Sequence, residues 1–168
     1  SDVATRQPAL ASMAPVEKID MYTPDGDPLN RATKAARRIG DLTQNRQNAE
    51  TFIVQSHQQI DLARQKLADR DLPPVLLTNL LTSRHMRVFG AQSLLQGVLE
   101  QTGVRNAWHG PTNYWGFSTL GIEQIAPFPD AAMIAFEPIP DTVNRALTHS
   151  PIFTRPPSIQ PFGLIPMA

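Results

Sequence analysis

The sequence predicts an α/β domain, a sheet with flanking helices, and three observations carry that expectation. Val75–Asn79, Met86–Phe89 and Ala132–Glu137 are apolar runs of strand length. Other segments repeat their apolar residues at helical spacing, which marks helices packed along one face. Start and stop signals separate the two kinds of segment. Strand, helix, strand, helix, strand is the grammar of helices covering a sheet.

In chain order, Ile19–Thr23 is an apolar, β-favouring run closed by the turn signal Pro24-Asp25-Gly26-Asp27. Asp27 before Pro28 pairs an N-cap with proline at the first helical position. From there Ala32, Ala35, Ala36, Ile39 and Leu42 form one apolar stripe. A second helix runs from about Arg46 to Asp69, with Ala49, Phe52, Ile53, Ile60, Ala63 and Leu67 as its stripe. It is roughly 35 Å long, enough to cross a small domain, and Leu72-Pro73-Pro74 stops it. Val75–Asn79 reads as a buried strand and Met86–Phe89, ending at Gly90, as a short one.

Leu94, Leu95, Val98 and Leu99 mark the next helix, with Ser93 and Gln96 at capping-box spacing and Gly103 as its stop. Asn106–Ser118 reads as a loop rich in aromatics, Gly, Asn and Pro. A short helix at Ile122–Ile125, a buried strand at Ala132–Glu137 and a helix from Asp141 through Leu147 follow. After Ser150 the chain is proline-rich and irregular, and it holds no internal repeat or low-complexity tract.

Composition narrows the function classes. The 168 residues suffice for one domain or for part of a larger protein. Fifteen basic residues balance 15 acidic ones, and a dedicated nucleic-acid binder needs a strong positive field. The charged fraction of 18% is low and the 16 prolines are about double a typical share, yet 41% hydrophobic residues fit a folded domain. Without cysteine, disulfides, thiolate catalysis and zinc-thiolate sites are excluded. No apolar run approaches the roughly 20 residues of a membrane span. Ser1 opens without a basic-then-apolar leader, so export would require a leader outside this sequence.

Catalytic chemistry finds no foothold. Glycines sit singly, without a phosphate-binding loop. His57, His85, His109 and His149 are scattered, with no metal-ligand spacing. No Gly-x-Ser-x-Gly occurs; Ser83 and Ser150, the serines nearest to histidine, stand in unsuitable contexts. No pair of carboxylates stands out.

Two loops do stand out. Ser83-Arg84-His85-Met86-Arg87 follows a strand with two guanidiniums, and Arg both forks onto anionic oxygens and stacks on flat groups. Asn106 to Phe117 holds both tryptophans, Trp108 and Trp115, with Tyr114, Asn106 and Asn113. Trp and Tyr on a loop offer rigid apolar faces with a polar handle, the usual lining of a small-molecule pocket. The bland alternative is that they plug the loop onto the core.

Leu76-Leu77-Thr78 through Arg84-His85-Met86-Arg87-Val88-Phe89-Gly90, then Asn106-Ala107-Trp108 and Thr112-Asn113-Tyr114-Trp115-Gly116, resemble the ferric-hydroxamate (ferrichrome-type) periplasmic binding proteins of ABC importers. The resemblance covers about half of the chain strongly and extends weakly back to the turn at Asp25-Gly26. It implies two α/β lobes joined by one long helix, with a ferric siderophore in the cleft between them. Residues 1–45 would then be the remnant of the amino-terminal lobe, 46–70 the interdomain helix and 71–168 the carboxy-terminal lobe, incomplete at its end.

Carried over by position, Trp108, Asn113 and Trp115 would contact the siderophore. Met86 and Arg87 would line the same wall, and Tyr114, Phe117, Ser118 and Phe162 would complete the set. The family implies binding and delivery rather than catalysis, with no cofactor, since the siderophore's own oxygens wrap the iron. It also implies a periplasmic location and docking to an inner-membrane permease, for which Glu123 and Glu137 are candidates.

This chain departs from the pattern in four places. Most of the amino-terminal lobe is missing. Phe117 stands where close relatives offer a small hydroxyl residue, with Ser118 next to it. The stretch from Phe153 to Phe162 is about ten residues short, with Gln160 and Phe162 near the positions of two pocket aromatics. The chain also stops before the family's closing helix. It therefore reads as an incomplete chain that binds weakly, whose unfinished sheet exposes surface for homodimerisation or domain swapping. A relative binding a citrate-hydroxamate or catecholate chelate, an α/β hydrolytic or transferase domain, and an interaction module using the Trp-rich loop all stay open at this point.

Overall fold

The computed structural model describes residues 8–23, 26–139 and 141–148. Asp27 takes a left-handed conformation and its carboxylate accepts from the Asn30 amide, so α1 (Pro28–Leu42) starts where the Asp-Pro pair expects it. A short turn leads into α2 (Arg46–Leu67). The two helices meet closely at Gly40, where a Cβ would lie 2.6 Å from that of Ala49, too near for any larger residue. Arg37 and Glu50 pair across them at 2.8 Å.

At 22 residues α2 is roughly 33 Å long. Its stripe is only partly used: Ile53 is buried and Ala49, Ile60, Ala63 and Leu67 are half-buried, whereas Phe52 is 64% exposed. Ile39 and Leu42 of α1 are likewise exposed.

Ile19–Thr23 corrects the sequence reading. It forms no strand; its backbone is irregular, and no described strand lies beside it to complete a ladder. β-favouring residues alone do not make a strand when there is nothing to pair with.

The sheet is mixed, in the order β3-β2-β1-β4. β1 (Val75–Leu80) and β2 (His85–Phe89) form a hairpin that sets Leu77 opposite Phe89 and Leu80 opposite Met86. β3 (Phe117–Gly121) runs antiparallel to β2, and β4 (Ala132–Ala135) parallel to β1. Between β2 and β3 lies α3 (Leu94–Thr102), packed against both earlier helices. A 3₁₀ turn at Ile122–Ile125 and α4 (Asp141–Thr148) complete the described elements.

β3 is the element the sequence reading missed, having placed Phe117 and Ser118 in the loop. It is an edge strand with only Leu120 buried, so no apolar run announces it. β4 ends two residues before the expected Glu137. At α3 only half of the capping box forms. Ser93 Oγ accepts from the Gln96 amide, but the Gln96 side chain turns away to Glu100 and Asn106. The proline-rich stretch after Ser150, with Gln160 and Phe162, lies outside the described residues.

Strand alternation divides the core. On one face Leu76, Leu80, Met86, Val88 and Leu120 pack with Ile122, Ile125, Ala131 and Val143. On the other Val75, Leu77 and Ala132 meet Leu99 of α3, with Phe89, Ile134 and Phe136 around them. Thr78, fully buried between β1 and β4, donates its hydroxyl to the Ile134 carbonyl at 3.1 Å.

Met86 is thus a core residue. Its side chain has no exposed surface, so it cannot line a ligand wall as the resemblance implied. Met86→Ala should lower unfolding free energy by about 3 kcal/mol in urea denaturation. A loss below about 1 kcal/mol would show that the site is not packed.

Candidate functional site

The loop from Asn106 to Gly116 wraps the end of the sheet where α3 has just finished. Its first residue is fixed on every side. Val75 donates to the Arg105 carbonyl and Ala107 to the Val75 carbonyl, both at 2.8 Å. The buried Asn106 amide donates to the Phe89 carbonyl (2.9 Å) and to Gln96 Oε1 (2.8 Å), while its oxygen accepts from the Trp108 amide (2.9 Å). All these polar groups are satisfied inside the protein, which makes the loop's root rigid.

The far end is tied back as firmly. Gly90 donates to the Gly116 carbonyl at 2.9 Å, and Thr112 Oγ1 to the Ala91 carbonyl at 2.9 Å. Gly116 has φ +76°, and a Cβ there would lie 2.1 Å from the Ser93 nitrogen. Conformation and space both demand glycine. Ser118 donates to the Pro111 carbonyl, closing the loop's neck.

Asn113 organises the tip. Its side-chain oxygen accepts from the amides of Trp115 (3.0 Å) and Phe117 (3.2 Å), and its backbone nitrogen donates to the Phe117 carbonyl (2.9 Å). That oxygen therefore serves the loop itself, an arrangement of the Asx-turn kind.

The two tryptophans go to different places. Trp108 is half-buried against the first core cluster, its ring 6.0 Å from Phe128. It is so tightly held that Cβ atoms at Gly90 and Gly110 would lie 2.6 and 2.4 Å from it. Its indole nitrogen is buried without a hydrogen-bond partner among the described residues. An open groove of about 740 Å³ begins at this ring, lined also by Phe128, Gln96, Glu100, Arg105 and Asp130.

Trp115, about half exposed, stacks nearly parallel on Phe117 with centroids 6.1 Å apart. Phe117 meets Phe89 edge-on, which ties this stack to the other face of the sheet. Arg87 lays its guanidinium 4.7 Å over the Phe117 ring. Tyr114 meets Trp115 edge-on and donates its hydroxyl to the Tyr22 carbonyl, joining the tip to the segment before α1. Lys18, nearby in that segment, is held above its usual range chiefly by the hydrogen bond to Asp20, with a minor pull from Tyr114.

Of the residues singled out from sequence, Arg87, Tyr114, Trp115 and Phe117 thus form one connected surface. Trp108 anchors the loop beside it, Asn113 and Ser118 shape it, and Phe162 lies outside the described residues. Sequence reasoning missed the structural weight of Asn106 and Gly116, and also Phe89 and Phe128. Asn106 gave a signal, a polar residue directly before the buried Ala107. Among the described residues no group of three His, Cys, Asp or Glu side chains could hold a metal ion. No helix among them is long and apolar enough to cross a membrane.

No protein-family model matches the chain. By sequence it is 32% identical over 151 residues to the iron(3+)-hydroxamate-binding protein FhuD of Escherichia coli, covering 90% of this chain and 51% of that protein. The chain spans about half the length of that curated relative. Among solved structures, the Fe3+-Desferal-bound siderophore-binding protein FhuD of Vibrio cholerae superposes with a TM-score of 0.79 at 16% identity, over 90% of this chain and 57% of the other. A periplasmic heme-binding protein of Pseudomonas aeruginosa gives 0.62 at 18% identity, over 85% and 50%. The fold is therefore that of a lobe of such binding proteins, as the sequence resemblance implied.

Asn113→Ala should free Trp115 in the protein without any ligand. In a Trp108→Phe background, time-resolved anisotropy of Trp115 should show faster local motion, with a stability loss of about 1 kcal/mol. Unchanged anisotropy would mean that Asn113 does not position the ring.

Proposed function

We propose that this chain is the ligand-binding part of a substrate-binding protein for a ferric siderophore of the hydroxamate type, serving an ABC importer in the periplasm. The observation that carries the reading is the Trp115–Phe117 stack, half exposed yet fixed from beneath by Phe89 and from the side by Asn113. A pre-ordered aromatic plate loses little conformational entropy when a ligand covers it. In a siderophore complex the chelate's own oxygens satisfy the iron, so the protein contributes flat apolar contact and a few donors rather than metal ligands. Tyr114 and Arg87 supply such contacts at the rim of the plate.

Relatedness to a hydroxamate-binding protein and the fold shared with siderophore- and heme-binding proteins support this class over hydrolytic, transferase or interaction-module readings. In this reading α2 is the interdomain helix, residues 71–168 belong to the carboxy-terminal lobe and residues 1–45 to the other. The exposed apolar residues of α2, Phe52 among them, would face the rest of such a protein. Glu123 and Glu137, both exposed, are candidates for docking to the permease. The plate is open on one side, so binding by this chain should be weak, because tight small-ligand sites enclose most of the ligand.

Titration with a ferric trihydroxamate, followed by tryptophan fluorescence, tests the proposal. Saturable quenching is expected, and Trp115→Leu should raise Kd about tenfold, a loss of about 1.4 kcal/mol. Absence of saturation up to about 1 mM ligand, a binding energy of about 4 kcal/mol, would remove the reading for this chain.

A further inference from the structure

The chain is neutral as a whole, but its charges are unevenly placed. From Leu72 to Ile122, which includes β1, β2, α3, the aromatic loop and β3, there is one carboxylate, Glu100, against three arginines, Arg84, Arg87 and Arg105. The Glu100 carboxylate is already engaged by the Gln96 amide at 2.9 Å.

Arg87 is the member of this set that reaches the plate. Elsewhere arginines meet carboxylates: Arg37 with Glu50, Arg38 with Glu17, Arg46 with Asp41, Arg64 with Asp61. The Arg87 side chain has no ion pair or hydrogen bond to any described residue, and its cross-strand neighbours Asn79 and Thr119 are uncharged. Its guanidinium is exposed and lies over Phe117, which is stacked with Trp115. The ring fixes the plane of the guanidinium and leaves its fork of donors unspent beside the surface a ligand would cover. A planar fork held in this way is suited to a carboxylate.

Resting on the reading of this surface as a siderophore site, we infer that its ligand is an anionic ferric chelate carrying a carboxylate not bound to iron, and that Arg87 is the specificity-determining residue that selects it. A neutral chelate gains the aromatic contact alone. An anionic one gains in addition the Arg87 fork.

Two probes separate the cases: a neutral ferric trihydroxamate, and an anionic ferric citrate-dihydroxamate with free carboxylate. At low salt the anionic probe should bind about fivefold tighter, the scale of an exposed charge pair. The preference should shrink toward unity in about 0.5 M salt, where screening is short-ranged. Arg87→Gln should abolish it, weakening the anionic probe about fivefold more than the neutral one, and Arg87→Lys, which keeps the charge but not the fork, should keep only part of it.

Equal binding of both probes by the wild-type chain would overturn the inference and leave the siderophore reading standing. So would an Arg87→Gln effect of equal size on both, which would make Arg87 a prop for Phe117 only. If neither probe binds, the siderophore reading and this inference fall together.

Discussion

A single buried amide holds the candidate site to the fold. Asn106 bonds to the end of β2 through the Phe89 carbonyl, to α3 through Gln96, and to its own loop through the Trp108 nitrogen. Hydrogen bonds of Ser93 to Gly90 and of Thr112 to Ala91 join the same pieces pairwise, but Asn106 is bonded to all three. Removing this side chain would strand buried partners on all three, and an unsatisfied buried polar group costs more than its hydrogen bond contributes. The loop's far end depends on the same junction, since Gly90 grips Gly116 one residue beyond Phe89. The Trp115–Phe117 plate stands on this frame.

Strand alternation then decides which neighbouring residues serve the core and which serve the surface. Met86 and Arg87 are adjacent, and a pleated strand sends them to opposite faces. Met86 meets Leu80, Val88 and Leu120; Arg87 meets Phe117 across the β2–β3 pair. The loop makes the same division between its tryptophans. Trp108 is spent on the core and Trp115 is left for the outside, so the core-packing reading describes one ring and not the other.

The likeness to binding proteins stands beside a flat aromatic surface with the Arg87 guanidinium at its edge. Charge placement adds what net charge conceals. Fifteen positive and 15 negative residues cancel over the chain, but the Arg87 guanidinium at the plate has no carboxylate partner among the described residues. Local field rather than total charge governs which ligands are drawn to a surface.

The sequence by itself determined the helices, the hairpin strands and the class of fold. Asp27-Pro28, Ser93 and Gly103 mark helix ends through local backbone chemistry, and the runs at Val75 and Ala132 are apolar because both sheet faces above them are covered. Its motifs also pointed to the loop that carries Trp115. Only the tertiary structure decided that Phe117–Gly121 is a strand and Ile19–Thr23 is not, because strand formation depends on a partner that sequence does not display. Tertiary structure alone also separated Trp108 from Trp115 and gave Asn106 its work. Those roles rest on contacts between residues far apart in the chain, Trp108 with Phe128 and Asn106 with Phe89, to which periodicity and capping signals are blind.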